Sequence, residues 1–553
     1  MLRSLKRYLA RPLVFLAAFL LPCLFGCSLK SAGIDYAPDN LPANGDCLVT
    51  ASIADPITLI PIVASDSVSH ELCSLLYNGL VRYDKDLNII GDLCLSWEMS
   101  RDGGEITFIL RDGVKWHDGA PFTAEDVLFT YQSLIDPKTK TAYSGDFNRI
   151  ESFRVINPYK IKISYYSPFA PALSSWTMPI IPRHILQNED LSLTKFARQP
   201  VGTGAYKFVK WITGQQIILK ANEDYFKKRP YIDYYIYRVI PDPSTMFLEL
   251  QAGGIDFMGL SPLQYKRQTQ NDYFRACFNK YSYSSSGYTY LGYNLRDIKF
   301  KDKRVRQALD LAVDKQSIID GALLGLGRIC TGPFLPGSWA YNKDIIPRPR
   351  DITAALRLLA QAGWSDTDGD GVIDKDGVDF EFCLLINQGN NLREYAAQMI
   401  QQQLKEAGIV MRIKPMEWSV LLGEFINKKK FEAVLMGWGL SPDPDCLDIW
   451  HSSKTREGEF NFISYKNEEV DYLFDQGRLI IDRPARARVY HRIHSILHEE
   501  QPYMFLWVED SLPIIHKRFK NIKPSLSGIR HNFTEWYVPE EQQKYGPRQK
   551  VLL

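Results

Sequence analysis

The chain has almost no excess charge of either sign. Its 66 Lys and Arg stand against 64 Asp and Glu, a formal +2 over 553 residues, so no electrostatic footprint for nucleic acid exists. It has no C-x-x-C pair among its nine cysteines, which removes zinc-knuckle and thioredoxin-type sites. Gly-x-Ser-x-Gly and His-Glu-x-x-His are also absent, and with them the nucleophile elbow and the zincin helix. Pro200 to Phe208, PVGTGAYKF, carries two glycines but neither the Lys-Ser/Thr of a phosphate loop nor the third glycine of a dinucleotide fingerprint. No internal repeat or low-complexity tract is visible. Enzyme chemistry and organic cofactors thus find no support in motif content.

What is present is aromatic surface, with 30 Tyr, 28 Phe and 11 Trp. Such rings fill large cores, and some line clefts. At this length two or three packed lobes are expected. Arg3, Lys6, Arg7 and Arg11 precede an apolar run, Leu13 to Phe25, that is shorter than the roughly twenty residues needed to span a bilayer and holds Pro22. It reads as a signal segment, residues 1–26. Residues 27–45, with Pro38 and Pro42, read as a tether. Seven cysteines remain after Cys23 and Cys27, an odd number, so at least one is unpaired and most are expected to be buried as small apolar residues.

Local patterns outline the elements. In Trp97 to Tyr131, WEMSRDGGEITFILRDGVKWHDGAPFTAEDVLFTY, Asp102-Gly103-Gly104 precedes the alternation of Ile106, Phe108 and Leu110, which predicts a strand. Asp112-Gly113 predicts a turn into a second strand at Val114 and Trp116. Thr123, followed by Glu125 and Asp126, predicts a capped helix through Leu134. From Ala354 to Trp438 two apolar helical stripes, ended by Gly363 and Gly408, alternate with strands at Asp379 to Ile386 and Val410 to Met416, an α/β pattern.

That opening stretch resembles the signature region of the family-5 bacterial extracellular solute-binding proteins, the peptide and nickel receptors of ABC importers. Asp55 to Pro61 (DPITLIP), Tyr77 to Asp84 (YNGLVRYD), PVGTGAYKF, Gly253 to Phe257 and Lys301 to Lys315 (KDKRVRQALDLAVDK) resemble further segments of it. The resemblance runs from about residue 46 to 535. It implies an α/β fold like the type II periplasmic binding proteins, with two main lobes, a hinge and a small inserted third lobe. Residues 46–75, 200–290 and 505–535 would form lobe I, 76–199 the inserted lobe II and 291–504 lobe III. Ligand would be a peptide or peptide-like solute held between lobes I and III and passed to permease subunits by a monomeric receptor. A ligand sensor, or an envelope chaperone for extended chains, is the alternative on the same scaffold. Leu24-Phe25-Gly26-Cys27 resembles a lipobox, implying lipidation at Cys27 and a membrane-anchored protein on the periplasmic side of the envelope. Ser28 in place of Asp implies the outer membrane in a diderm cell.

The resemblance also implies site residues. Trp418 and Trp438 correspond to tryptophans that face the ligand, with core packing as the competing reading. Tyr288 and Asn294 lie on the stretch expected to cross between lobes. Related receptors place an aspartate, which pairs with a peptide's α-amino group, where Ser441 stands here; Asp443 or Asp445 is the expected substitute anion. Two other clusters invite a metal reading. Asp366, Asp368 and Asp370 alternate as in a calcium loop, but Gly377 occupies the twelfth position where a bidentate Glu belongs, so a plain turn is expected. His491, His494 and His498 share a helical face that is expected to look at solvent.

Overall fold

The computed structural model describes residues 41–545. The expected signal segment, Cys27 and residues 27–40 of the expected tether lie outside the described residues.

Two mixed sheets and one smaller antiparallel sheet organise the chain. The first runs, in spatial order, Phe278–Lys280, Pro513–His516, Phe257–Gly259, Cys47–Ser52, Tyr234–Val239, Gln216–Ala221 and Tyr206–Ile212. Within it Cys47–Ser52 is parallel to both neighbours. The second runs Tyr283–Ser284, Tyr503–Ser511, Gly287–Tyr293, Ala433–Gly439, Glu381–Asn387 and Val410–Met416, with Gly327–Ile329 paired to Tyr503–Ser511. Its last three strands are mutually parallel. The third is Cys94–Met99, Glu105–Leu110, Lys160–Tyr165 and Ile150–Asn157.

The third sheet and its helix follow from the expected local signals. Ile106, Phe108 and Leu110 are buried while Glu105, Thr107 and Ile109 are half-buried. Asp126 accepts the backbone N–H of Thr123 at 2.9 Å, closing the first turn of the helix Ala124–Ile135. The same carboxylate accepts from Arg183 N at 3.0 Å. Val114 to Trp116 is not a strand. Trp116 N donates to Ala120 O and Phe122 N to Val114 O, so the segment closes on itself as a tight loop. Burying Val114, Trp116 and Phe122 under the helix outweighs extension into the sheet.

The PVGTGAYKF glycines serve close packing. A Cβ on Gly202 would stand 1.8 Å from Leu76 O and one on Gly204 2.3 Å from Leu75 O, so the end of the helix Ser67–Leu76 meets bare backbone here. His117 locks the same turn. Its Nδ1 accepts from Gly202 N at 3.1 Å, and its Nε2 lies 3.0 Å from Gly204 O. Burial holds this imidazole well below its usual range, at about 4.

Two expectations about lobe boundaries change. Gly287–Tyr293 and Tyr503–Ser511 both lie wholly in the second sheet, so the chain leaves the first sheet before residue 283 and returns to it after 511, not at 290 and 505. The crossing is a two-stranded ribbon: Tyr281 N donates to Pro513 O at 3.0 Å, and Tyr283 pairs with Ser511. Paired backbone satisfies itself through the crossing, which lets two strands bridge the lobes without a covered loop. The seven described cysteines from Cys47 to Cys446 are all free.

Candidate ligand crevice

In open α/β sheets ligands bind beyond the carboxyl ends of parallel strands. In the second sheet those ends carry Trp418 after Val410–Met416, the Gln388-Gly389-Asn390 turn after Glu381–Asn387, and Trp438 within Ala433–Gly439. In the first sheet they carry Ile53 after Cys47–Ser52 and Pro241 after Tyr234–Val239. The two edges meet where a Cβ on Gly389 would stand 2.8 Å from Pro241 O and 3.8 Å from the Ile53 side chain. Further along the seam Val63, Ala64 and Ser65 face Asn427, Glu457 and Gly458 across a pocket of about 90 Å³, which Lys140 and Ala142 border from the inserted lobe.

Trp438 is half-buried on this edge. Its ring stacks on Tyr290 at 6.2 Å and 12°, meets Phe460 edge-on at 5.2 Å, and donates from Nε1 to Tyr503 Oη at 3.3 Å. Phe460 in turn meets Tyr143 of the inserted lobe at 5.6 Å. Trp418 opens a short helix capped by the Glu417 carboxylate and is also half-buried. The other two expected residues do not join them. Tyr288 is 3% exposed, packed on Tyr290 and Phe505 inside the sheet, with its hydroxyl unpartnered. Asn294 follows the opposite end of the same strand, where its amide donates to Lys429 O and Phe431 O and holds a turn.

The segment after Trp438 turns toward the inserted lobe. Ser441 stands exposed beside the Tyr83 hydroxyl. Neither neighbouring aspartate is a spare anion. Asp443 takes both Arg486 nitrogens at 2.9 Å each, and Asp445 lies 2.6 Å from Arg478 Nε. Arg478 also reaches Asp146 of the inserted lobe at 2.9 Å, and Arg149 reaches Asp475 at 2.7 Å, so ion pairs bridge the two lobes. Sequence reasoning missed these arginines, because nothing local marks their partners. It also missed Arg393 and Glu509, which belong to the crevice edge.

The two clusters that invited a metal reading differ in their surroundings. Oxygens of Asp366, Asp368 and Asp370 lie within 4.8 Å of one another on the surface. Asp366 accepts from Gly369 N and Gly371 N, Asp368 from Asp370 N and Asp370 from Val372 N, a set of turn hydrogen bonds. The histidine face does not look at solvent. His494 is fully buried, accepts from Asn342 N at 3.2 Å and lies 3.1 Å from Thr331 Oγ1, while His491 and His498 sit against Trp339 O and Thr331 O. The segment from Thr331 to Asn342 covers that side of the helix Arg483–Glu500, so both faces of the helix are packed. Burial, and the neighbouring His498, hold the His494 imidazole down at about 3.

Two α/β lobes joined by a strand ribbon, with opposed carboxyl edges, have the architecture of a solute receptor of the hinge-closing type. The profile described as "Bacterial extracellular solute-binding proteins, family 5 Middle" matches residues 88–459, and the chain belongs to that family. It is 36% identical over 538 residues to the oligopeptide-binding protein AppA of Bacillus subtilis, covering 95% of this chain and 97% of that one. The solved structure of AppA with a nonapeptide superposes with a TM-score of 0.86 at 34% identity, over 90% of this chain and all of the other. NikZ of Campylobacter jejuni, solved with Ni(L-His), gives a TM-score of 0.81 at 30% identity, over 89% and 99%. Family members are binding proteins, and the α/β fold with type II organisation is common to these structures.

Proposed function

We propose that the protein captures a peptide or peptide-like solute between the two sheet edges and delivers it to the permease of an ABC importer. The observation that carries this reading is the pair of half-buried tryptophans, Trp418 and Trp438, at the crevice edge of a chain 34% identical to a receptor solved with a nonapeptide. Flat rings there give apolar contact without selecting one side chain. The strand ribbon supplies the hinge, and closure is driven by contacts that exist only when the lobes meet. The lipobox-like Cys27 is the proposed membrane anchor.

Native mass spectrometry of the protein purified from its host tests the ligand class. Peptide adducts of mixed sequence are expected. A single metal chelate or a haem in their place would overturn the peptide reading. For the anchor, a Cys27→Ala chain is expected to move from the membrane to the soluble fraction, and unchanged membrane retention would refute lipidation there.

A further inference from the structure

The residues expected to hold a ligand's ammonium are absent or engaged: Ser441 carries no charge, and Asp443 and Asp445 are spent on Arg486 and Arg478. One carboxylate at the same edge forms no direct ion pair. Glu509 lies near the end of Tyr503–Ser511, next to the ribbon, and is half-buried. Among the described residues no cationic side chain lies within ion-pairing distance of it. The Trp507 indole N–H comes near without closing a hydrogen bond. Burial pushes the Glu509 carboxyl up, and the Arg393 guanidinium, the cation that faces it, pulls it back down.

Arg393 is placed by the helix Asn391–Lys405, whose N-cap Asn390 accepts from Arg393 N. Its guanidinium donates to Asn387 Oδ1 at 2.8 Å and lies over Gly437, 3.1 Å from where a Cβ would be. The two opposite charges act on each other across a gap too long for an ion pair. The edge between them and Trp438 is open, since a Cβ on Gly439 would meet nothing within 4 Å. Glu509 O accepts from Ser285 N at 3.0 Å, and Ser286 O accepts from Leu440 N at 2.8 Å. Glu509 is therefore two strand spacings, about 10 Å, from the Leu440-Ser441 step.

We propose that Glu509 is the specificity-determining residue that receives the ligand's ammonium group in place of an aspartate at position 441. This rests on the peptide reading above. The ammonium could be supplied by the α-amine or by a lysine side chain; the chemistry at Glu509 is the same, and it would complete a partly desolvated carboxylate.

Three nonapeptides of one sequence distinguish the sources by calorimetry at pH 7.5: free amine without lysine, N-acetylated without lysine, and N-acetylated with one lysine. With the wild-type chain, the first or third is expected to bind about 10–100-fold more tightly than the second, the range for a charged hydrogen bond. Glu509→Gln, which keeps shape and loses charge, is expected to erase that difference, with a cooperative thermal melt confirming that the variant is folded. Tighter binding of the first assigns the α-amine, and of the third the side chain. Equal binding of all three to the wild type overturns the proposal but leaves peptide capture standing, as does a preference that survives in Glu509→Gln. No binding of any peptide to the wild type overturns both.

Discussion

Asp146→Asn and Arg478→Met are expected to move stability in opposite directions at pH 8. Arg478 is 3% exposed in its side chain and lies between Asp146, on the inserted lobe, and Asp445, on the loop after Trp438. Two carboxylates share one guanidinium, and Asp448 stands close by. Burial, opposed by Arg478 and reinforced by Asp445, pushes the Asp146 carboxyl up to about 7. A carboxyl raised in the folded state contributes stability that is complete below its ordinary value near 4 and is lost as pH rises through 7. That difference corresponds to about 4 kcal/mol.

Asn at 146 cannot ionise and can still accept from Arg478. After subtracting a weakened hydrogen bond, a gain of about 1–3 kcal/mol at pH 8 follows. Met at 478 leaves two carboxylates buried without a cation, a loss of about 3–5 kcal/mol. For a chain of roughly 500 residues, 1 kcal/mol is about 1 °C in melting temperature. Scanning calorimetry at pH 5, 6.5 and 8 reads both effects. The reasoning fails if Asp146→Asn loses as many degrees at pH 8 as Arg478→Met, since Arg478 would then be stabilising the Asp146 carboxylate by more than burial destabilises it.

Gly204→Val is expected to cost more than about 3 kcal/mol, or to prevent folding, because the added Cβ would be 2.3 Å from Leu75 O. Gly214→Ala, at φ +72 with nothing within 4 Å, is expected to cost only about 1 kcal/mol, and paired thermal melts compare the two. His494 has the sign opposite to Asp146. Its folded form holds fewer protons, so stability is complete above pH 6.5 and lost as pH falls toward 3, about 4–5 kcal/mol in all. His494→Gln should flatten that part of the acid melting profile. Trp418→Ala removes a half-buried ring and is expected to weaken peptide binding by roughly tenfold in calorimetry, while melting changes little.

Elements with a complete local cause were readable in advance. The strand Glu105–Leu110, the Thr123–Asp126 helix start and the helices ended by Gly363 and Gly408 each need only neighbours within a few residues. Where a competing tertiary contact existed, local reading went astray. Val114 to Trp116 has strand-like residues yet closes as a loop, because burying Trp116 and Phe122 under the helix decides it. His494 has polar neighbours at helical spacing, yet a segment 150 residues earlier covers it.

Family membership and the start and stop of the locally signalled strands and helices were determined by the amino-acid order alone. Those features are carried by runs of adjacent residues whose chemistry is set locally. The tertiary structure decided which charges remain free. Asp443 and Asp445 looked available beside Trp438, but Arg486 and Arg478, more than thirty residues on, neutralise them. Glu509 forms no direct ion pair because Arg393, more than a hundred residues before it, is held over Gly437 and faces it from beyond contact. A charge acts through distance in space, and the distances between strand edges exist only once the sheets have formed.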